Sequence, residues 1–265
     1  MGHERVGTLP KTERWKSIVR SIGDYADGGN SIVEIAAQTT KNVRRRFQNI
    51  DQDGGVFAAF KFIILIAHCA KSDAAFEKLA AEGIDLPKDF NLYDLAYVIQ
   101  EFISKNSESK EYSAFAIQSI IETVSEWSKA HKTDQVNLFE SNENSLELWQ
   151  QASNGSGFCE ISRLFFSKFT ERYLKYFLER EAATKINNLF DRTQFNRNLE
   201  VHVDKISKHA FETSKITQSF AAGWFNKYAK EKLPTDKRIQ GFLSFAFQKI
   251  NSELIREEVN NDQFQ

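Results

Sequence analysis

The residues best suited to catalysis are Arg197 and His202. They are separated by four residues in the run Arg197-Asn-Leu-Glu-Val-His202. An arginine guanidinium is always charged and grips phosphate oxygens through two parallel hydrogen bonds. A histidine titrates near neutral pH, so its imidazole can move the proton of a reacting hydroxyl. These residue types suit an attack on a phosphodiester. The opposing interpretation places both side chains on a solvated helix face, beside Asn196 and Asn198.

A second polar group lies between two predicted helices, in the run Asn49-Ile-Asp-Gln-Asp-Gly-Gly-Val-Phe-Ala-Ala-Phe60. Asn49, Asp51, Asp53 and the glycine after them match the ligands and the tight turn at the start of a calcium loop. The twelfth position, which should supply a bidentate carboxylate, is Phe60. We therefore expect a helix connection rich in Asp and Gly, with Phe60 in the core.

Few other residues have the spacing of a metal or nucleophile site. His202 and His209 are seven apart and share a helix face, but no cysteine or Glu-x-x-His motif completes a zinc site. Cys69 and Cys159 form neither a disulfide framework nor a metal knuckle. We predict no metal and no cofactor.

Two further features concern partners and processing. Lys41, Arg44 and Arg45 can share one outer helix face, which suits phosphates or an acidic partner, although a plain solvated face is the simpler interpretation. Gly2 follows the initiator methionine and would be exposed by its removal. N-terminal processing at Gly2 is one interpretation, and the start of a flexible arm is the other.

Helices must position these residues, because apolar residues recur three and four apart from Ser31 to Val259 and no segment alternates like a strand. We predict an all-α fold, a two-lobed multi-helix bundle with long C-terminal helices. The helices over 56–70, 160–182 and 196–232 are expected to be central. The predicted organisation is an N-terminal arm (1–30), an N-terminal helical lobe (31–131), a polar linker (132–157), a C-terminal helical lobe (158–259) and a frayed tail (260–265).

Net charge and hydropathy indicate the cellular environment of the protein. The formal net charge of −1 gives no overall field that would attract nucleic acid or an anionic membrane. The most apolar run, Val56 to Ala70, is too short to cross a bilayer, and the first residues lack the apolar stretch of a signal peptide. The expectation is a cytoplasmic protein with no membrane partner.

The spacing of Arg197 and His202 resembles the Arg-x4-His motif of the HEPN family of helical ribonucleases. In that family the two residues lie near each other at a helix start, usually across a dimer. The resemblance implies that Arg197 stabilises the phosphate and that His202 is the general acid or base on the ribose 2′-hydroxyl. Such an enzyme would need no metal.

The order of segments gives a different resemblance. After the Gly2 start come Phe57-Ala-Ala-Phe-Lys-Phe-Ile-Ile-Leu, Ala74-Ala-Phe-Glu-Lys-Leu-Ala-Ala81, the helix of Ala116 to Thr123, and Tyr173-Leu-Lys-Tyr-Phe-Leu-Glu179. This order is similar to that of the helical QatB subunits of Qat-type antiphage defence operons, although the chain lacks their long Gly/Pro-rich N-terminal stretch. The resemblance implies a non-catalytic partner or scaffold subunit whose protein partner is encoded nearby. The HEPN-like ribonuclease is the alternative hypothesis.

Overall fold

The computed structural model describes residues 11–25, 27–47, 50–107, 112–131, 145–211 and 219–262, without the side chains of 43–47, 145, 147 and 257–262. Within these ranges the chain folds into helices and contains no strand, which confirms the all-α prediction. The described helices are α1 (Glu13–Tyr25), α2 (Ile32–Phe47), a 3-10 turn (Ile50–Gln52), α3 (Gly54–Cys69), α4 (Ala75–Ala81), α5 (Leu92–Asn106), α6 (Ser113–His131), α7 (Ser145–Ala152), α8 (Gly155–Lys185), α9 (Leu189–Phe211), α10 (Phe220–Tyr228) and α11 (Asp236–Asp262).

Helix α8 is the centre of the bundle. It packs against α6 and α9 and also contacts α1, α3, α7 and α10. Its aromatic side chains are buried along its whole length: Phe158, Phe165, Phe166, Phe169, Tyr173 and Phe177. A helix that is apolar on most sides belongs in a core, because each side needs a neighbour to exclude water.

The core of the bundle is built largely from phenylalanine rings. The Phe60 ring of α3 stacks on Phe242 at a centroid distance of 5.0 Å and lies 5.2 Å from Phe166 and 5.9 Å from Phe165. Offset and edge-on ring contacts of this kind add about 0.5–1.5 kcal/mol each to the burial of apolar area. Phe60 therefore joins α3, α8 and α11.

The two predicted lobes share one core. A single cluster of buried apolar residues runs from Trp15 to Leu254, and α6 of the first lobe packs directly on α8 of the second. The predicted arm contributes α1, whose Trp15, Ile18 and Ile22 are buried. None of the described helices combines the length and the apolar composition needed to cross a membrane.

Several predicted boundaries differ from the structure. Residues 155–157, assigned to the linker, form the first turn of α8, because Asn154 Oδ1 accepts the amide protons of Ser156 and Gly157 at 3.0 Å. A Cβ on Gly157 would lie 2.0 Å from the Gln151 carbonyl oxygen, so only glycine permits this close approach of α7. The helix predicted over 196–232 is two helices, α9 and α10, and α11 continues to Asp262, inside the predicted tail.

Candidate functional site

The structure places Arg197 and His202 on different sides of α9. Five helical steps separate their directions by about 140°. Arg197 is exposed, whereas His202 is only 6% exposed. Both lie in the middle of α9 and not at a helix start. The interpretation that put both on a solvated face is therefore correct for Arg197 and wrong for His202.

The acidic loop before α3 has a structural role. Asp53 is the N-cap of α3, and its Oδ1 accepts from the amides of Gly55 at 2.9 Å and Val56 at 3.1 Å. Asp51 is buried and accepts hydrogen bonds from Ser244 and Gln240 of α11. These bonds attach the loop to α11. Asn49 lies outside the described residues.

The histidines and cysteines are dispersed. His209 is exposed, with its Nε2 2.8 Å from Arg256 Nη2 and 3.6 Å from Glu253 Oε2 on α11. Cys69 and Cys159 are buried and are not joined by a disulfide, and burial raises the pKa of Cys69. In the part of the chain that the structure describes, no three His, Cys, Asp or Glu side chains converge as metal ligands.

The predicted basic surface is described only in part. Lys41 is exposed on α2. Arg44 and Arg45 belong to the same helix, but their side chains are among those that the structure does not describe. Gly2 likewise lies outside the described residues. These two predictions, one about partner contact and one about processing, stay predictions.

A charged cluster that the sequence analysis missed lies where α6, α8 and α9 meet. Lys168 Nζ lies 2.7 Å from Glu126, 3.1 Å from Glu122 and 3.4 Å from Glu200. Nearby, Arg163 donates to Asp204 at 2.6 Å, and Lys208 lies 3.0 Å from the same carboxylate. The cluster is completed by the pairs Arg172–Glu122 and Lys175–Glu171.

Burial and pairing compete in setting the pKa values of this charged cluster. Burial alone would lower the pKa of Lys168, but hydrogen bonds with Glu126 and Glu122 outweigh burial and raise the pKa above its usual value. Burial would raise the pKa of Asp204, but Lys208 and Arg163 hold it below its usual value. For Glu171 burial wins, so its pKa is raised despite the hydrogen bond from Lys175. The cluster therefore consists of charges that neutralise one another across three helices.

A signal for this charged cluster was present in the sequence. Lys168 lies among Phe165, Phe166 and Phe169, and the sequence of α8 places aromatic residues on most faces of this helix. A helix that is buried on so many sides must bury some of its charged residues too, and such charges need partners. Which partners they take cannot be read from spacing along α8, because the glutamates belong to other helices.

The outward side of α9 is a second feature. Phe190, Arg197, Val201 and Lys208 recur at intervals of seven, four and seven residues, which places them within about 20° of one line along the helix. Phe190 is 66% exposed and Val201 is 61% exposed, while Arg197 and Lys208 are also exposed. We call this set the α9 outer face. It carries apolar and cationic groups together.

Comparison with other proteins adds no relative: no family model, no curated protein and no solved structure matches this chain.

Proposed function

We propose that this chain is a non-catalytic helical partner or scaffold subunit of a bacterial multi-protein system, of the antiphage defence kind implied by the QatB resemblance. We further propose that its protein partner binds the α9 outer face. The observation that carries the proposal is the exposure of Phe190 and Val201 in line with Arg197. Phenylalanine and arginine are among the residue types enriched at protein interfaces.

The energetics favour this face as an interface. Most other apolar residues of α9, among them Phe195, Leu199, Val203 and Ile206, are buried in the core, whereas Leu189 at its start is also exposed. Phe190 and Val201 therefore have apolar area to contribute on binding, and fully burying such a side chain is worth about 1.5–3 kcal/mol. Arginine is among the residues most enriched in the energetically dominant part of interfaces. This role explains Arg197 without catalysis.

The charged cluster provides a second argument for a non-catalytic role. Its described cations already face carboxylates within the same fold, as in the contacts of Lys168 and of Arg163. Removing one member of such a buried set is destabilising, because it leaves an uncompensated buried charge. A substrate phosphate would have to compete with carboxylates on both α6 and α9.

The decisive experiment is affinity isolation of the tagged full-length protein from its native host, with identification of companions encoded beside its gene. We expect a stable companion that is recovered with the wild-type chain and lost from the variant Phe190→Asp/Val201→Asp. The matched control is Gln248→Asp, an exposed position on α11, which should retain the companion. All three proteins should unfold at nearly the same temperature, because exposed positions carry little stability.

Two outcomes would overturn the proposal. The wild-type protein could be recovered alone and monomeric, without any companion. Alternatively, the purified protein could cut RNA without added metal, with cutting abolished in both Arg197→Ala and His202→Ala. That second result would support the HEPN-like ribonuclease instead.

A further inference from the structure

A cationic cleft lies between α1 and the last turns of α8. It is a shallow groove, open to solvent, with a volume of about 690 Å³, and its lining contains four cations, namely Lys11, Lys16, Arg20 and Lys185. Val19 and Trp15 supply apolar lining, and the single carboxylate, Glu181, accepts a hydrogen bond from Trp15 Nε1 at 3.4 Å. The stretch from Lys11 to Arg20 contains four basic residues and one acidic residue, a local charge of +3. The cleft therefore attracts an anionic surface.

Helix α5 carries an anionic ridge, whose charge is opposite to that of the cleft. Tyr93 and Tyr97, one helical turn apart, are 64% and 65% exposed. Glu101 follows on the next turn, and Lys105 Nζ lies 2.7 Å from its carboxylate. The stretch from Glu82 to Lys105 contains five carboxylates and two lysines, a local charge of −3. We call Tyr93, Tyr97 and Glu101 the α5 ridge.

The cleft and the α5 ridge are built on helices with different neighbours. Helix α1 packs against α2 and α8, whereas α5 packs against α3 and α6. The cleft is a cationic groove and the α5 ridge is an exposed helix face in an acidic stretch. The whole chain has a net charge of only −1, so two copies do not repel each other overall.

We propose that the α5 ridge of one copy docks into the α1–α8 cleft of a second copy of this chain. In this contact the tyrosine rings pack on Val19 and on the aliphatic stems of Lys16 and Arg20, and the carboxylates face the four cations. Cations over tyrosine rings add about 0.5–1 kcal/mol at an exposed site. An RNA or an anionic membrane would also meet the cations of the cleft, but it would leave the exposed tyrosines unexplained.

The contact is heterologous, because each copy contributes a different surface to it. A heterologous contact builds a ring when the rotation between copies closes, and an open filament when it does not. This assembly is independent of the α9 outer face, which stays available to a protein partner. It also differs from the symmetric dimer that the ribonuclease hypothesis implies.

The test is sedimentation velocity of the full-length protein across a range of concentrations at low and high salt. The wild-type chain should self-associate, and salt should weaken the association because the contact is largely ionic. Two variants should each be monomeric: the cleft variant Lys16→Glu/Arg20→Glu/Lys185→Glu and the ridge variant Tyr93→Lys/Tyr97→Lys. Each should raise the dissociation constant at least about tenfold.

Mixing the two variants gives the sharpest readout. The cleft variant keeps an intact ridge and the ridge variant keeps an intact cleft, so the mixture should form a one-to-one heterodimer that cannot grow. A symmetric contact between identical surfaces would not be restored in this way. The matched control is Lys230→Glu/Lys232→Glu/Lys237→Glu, which reverses three exposed lysines outside the cleft and should associate like the wild type.

Each of the following results would overturn the proposal. The wild-type chain could stay monomeric at every concentration and salt, or the cleft variant could associate like the wild type, or the mixed variants could fail to recombine. Binding of a labelled RNA oligonucleotide or of anionic vesicles by a monomeric wild-type chain, lost in the cleft variant, would assign the cleft to that ligand. Circular dichroism and thermal unfolding establish that each variant is folded. Should a variant not fold, Arg20→Ala/Lys185→Ala and Tyr97→Ser replace the charge reversals.

Discussion

The ammonium nitrogen of Lys168 lies 2.7 Å from Oε1 of Glu126, although the Lys168 side chain is only 8% exposed. Glu122 of α6 and Glu200 of α9 approach the same nitrogen from either side. One cation on α8 thus joins the two helices that flank it. Because a charge that is removed from water needs close partners, this contact fixes how α6 and α9 pack on α8.

Replacing Lys168 with Met should destabilise the protein. The methionine fills similar volume but leaves three glutamates without their shared cation. We expect the free energy of unfolding at neutral pH to fall by about 2–3 kcal/mol, less than the roughly 3–5 kcal/mol for breaking a fully buried pair, because the glutamates are partly exposed. Urea unfolding measures the change.

A control variant makes the Lys168 test specific. Lys230→Met, at an exposed position, should change the free energy of unfolding by less than about 0.5 kcal/mol. Equal stability of Lys168→Met and the wild type would show that the contacts contribute nothing.

Asp204 should stabilise the fold in a pH-dependent manner. Its pKa is lower in the folded chain, so its contribution is present above the usual value of about 3.9 and is lost as the pH falls through the folded value. Asp204→Asn should cost about 1 kcal/mol at neutral pH, a figure discounted because the carboxylate is partly exposed. Urea unfolding as a function of pH should show the two proteins converging in acid.

The exposed pair of Lys61 and Asp236 supplies the control for Asp204. Asp236→Asn should be nearly neutral at every pH, because solvent screens this pair. A constant difference between Asp204→Asn and the wild type down to strongly acid pH would contradict the assigned role of the Asp204 carboxylate.

The contribution of Glu171 to stability should depend on pH in the opposite sense to that of Asp204. Burial raises its pKa in the folded chain, so its contribution is favourable below the usual value of about 4.3 and is lost as the pH rises through the folded value. Glu171→Gln removes the buried charge and keeps an oxygen that can accept from Lys175. It should raise the free energy of unfolding by about 0.5 kcal/mol at neutral pH and leave it unchanged in acid.

Chemical denaturation at neutral and acid pH tests the Glu171 prediction. The exposed neighbour Glu179 on the same helix supplies Glu179→Gln, which should not change stability at either pH. A clear loss of stability in Glu171→Gln at neutral pH would mean that its bond with Lys175 outweighs the cost of burial.

Local structure follows from local sequence patterns. Ser31 and Glu34 have the spacing of a capping box, and the box forms, with the Ser31 amide donating to Glu34 at 3.1 Å and the Glu34 amide donating to Ser31 at 3.2 Å. Asn91 and Asp94 have the same spacing and also form a capping box. The burial of Phe60 followed from the missing calcium ligand. These features depend on residues within one or two turns of each other, so the sequence alone determines them.

Contacts between distant segments could not be predicted in the same way. Lys168 meets Glu122 and Glu200, which lie 46 positions before it and 32 positions after it in the chain. Helical periodicity gives the apolar stripe of each helix but not its rotation against a neighbour. For the same reason, the burial of His202 was missed, because the side of α9 that packs inward depends on α2, α8 and α11.

The last prediction separates Arg197 from His202 by stability. His202 is 6% exposed, so His202→Ala leaves a gap in the packing and should lower the free energy of unfolding by about 1–3 kcal/mol. Arg197→Ala removes an exposed side chain from the middle of a helix, where alanine is the best helix former, and should change stability by less than about 0.5 kcal/mol. Thermal and urea unfolding of the two variants provide the comparison.

Because any loss of function in His202→Ala will include this destabilisation, Arg197→Lys is the cleaner functional variant. It keeps the charge but loses the bidentate fork, so it should weaken partner capture while the protein unfolds as the wild type does. Equal stability of His202→Ala and Arg197→Ala would contradict the buried position of His202.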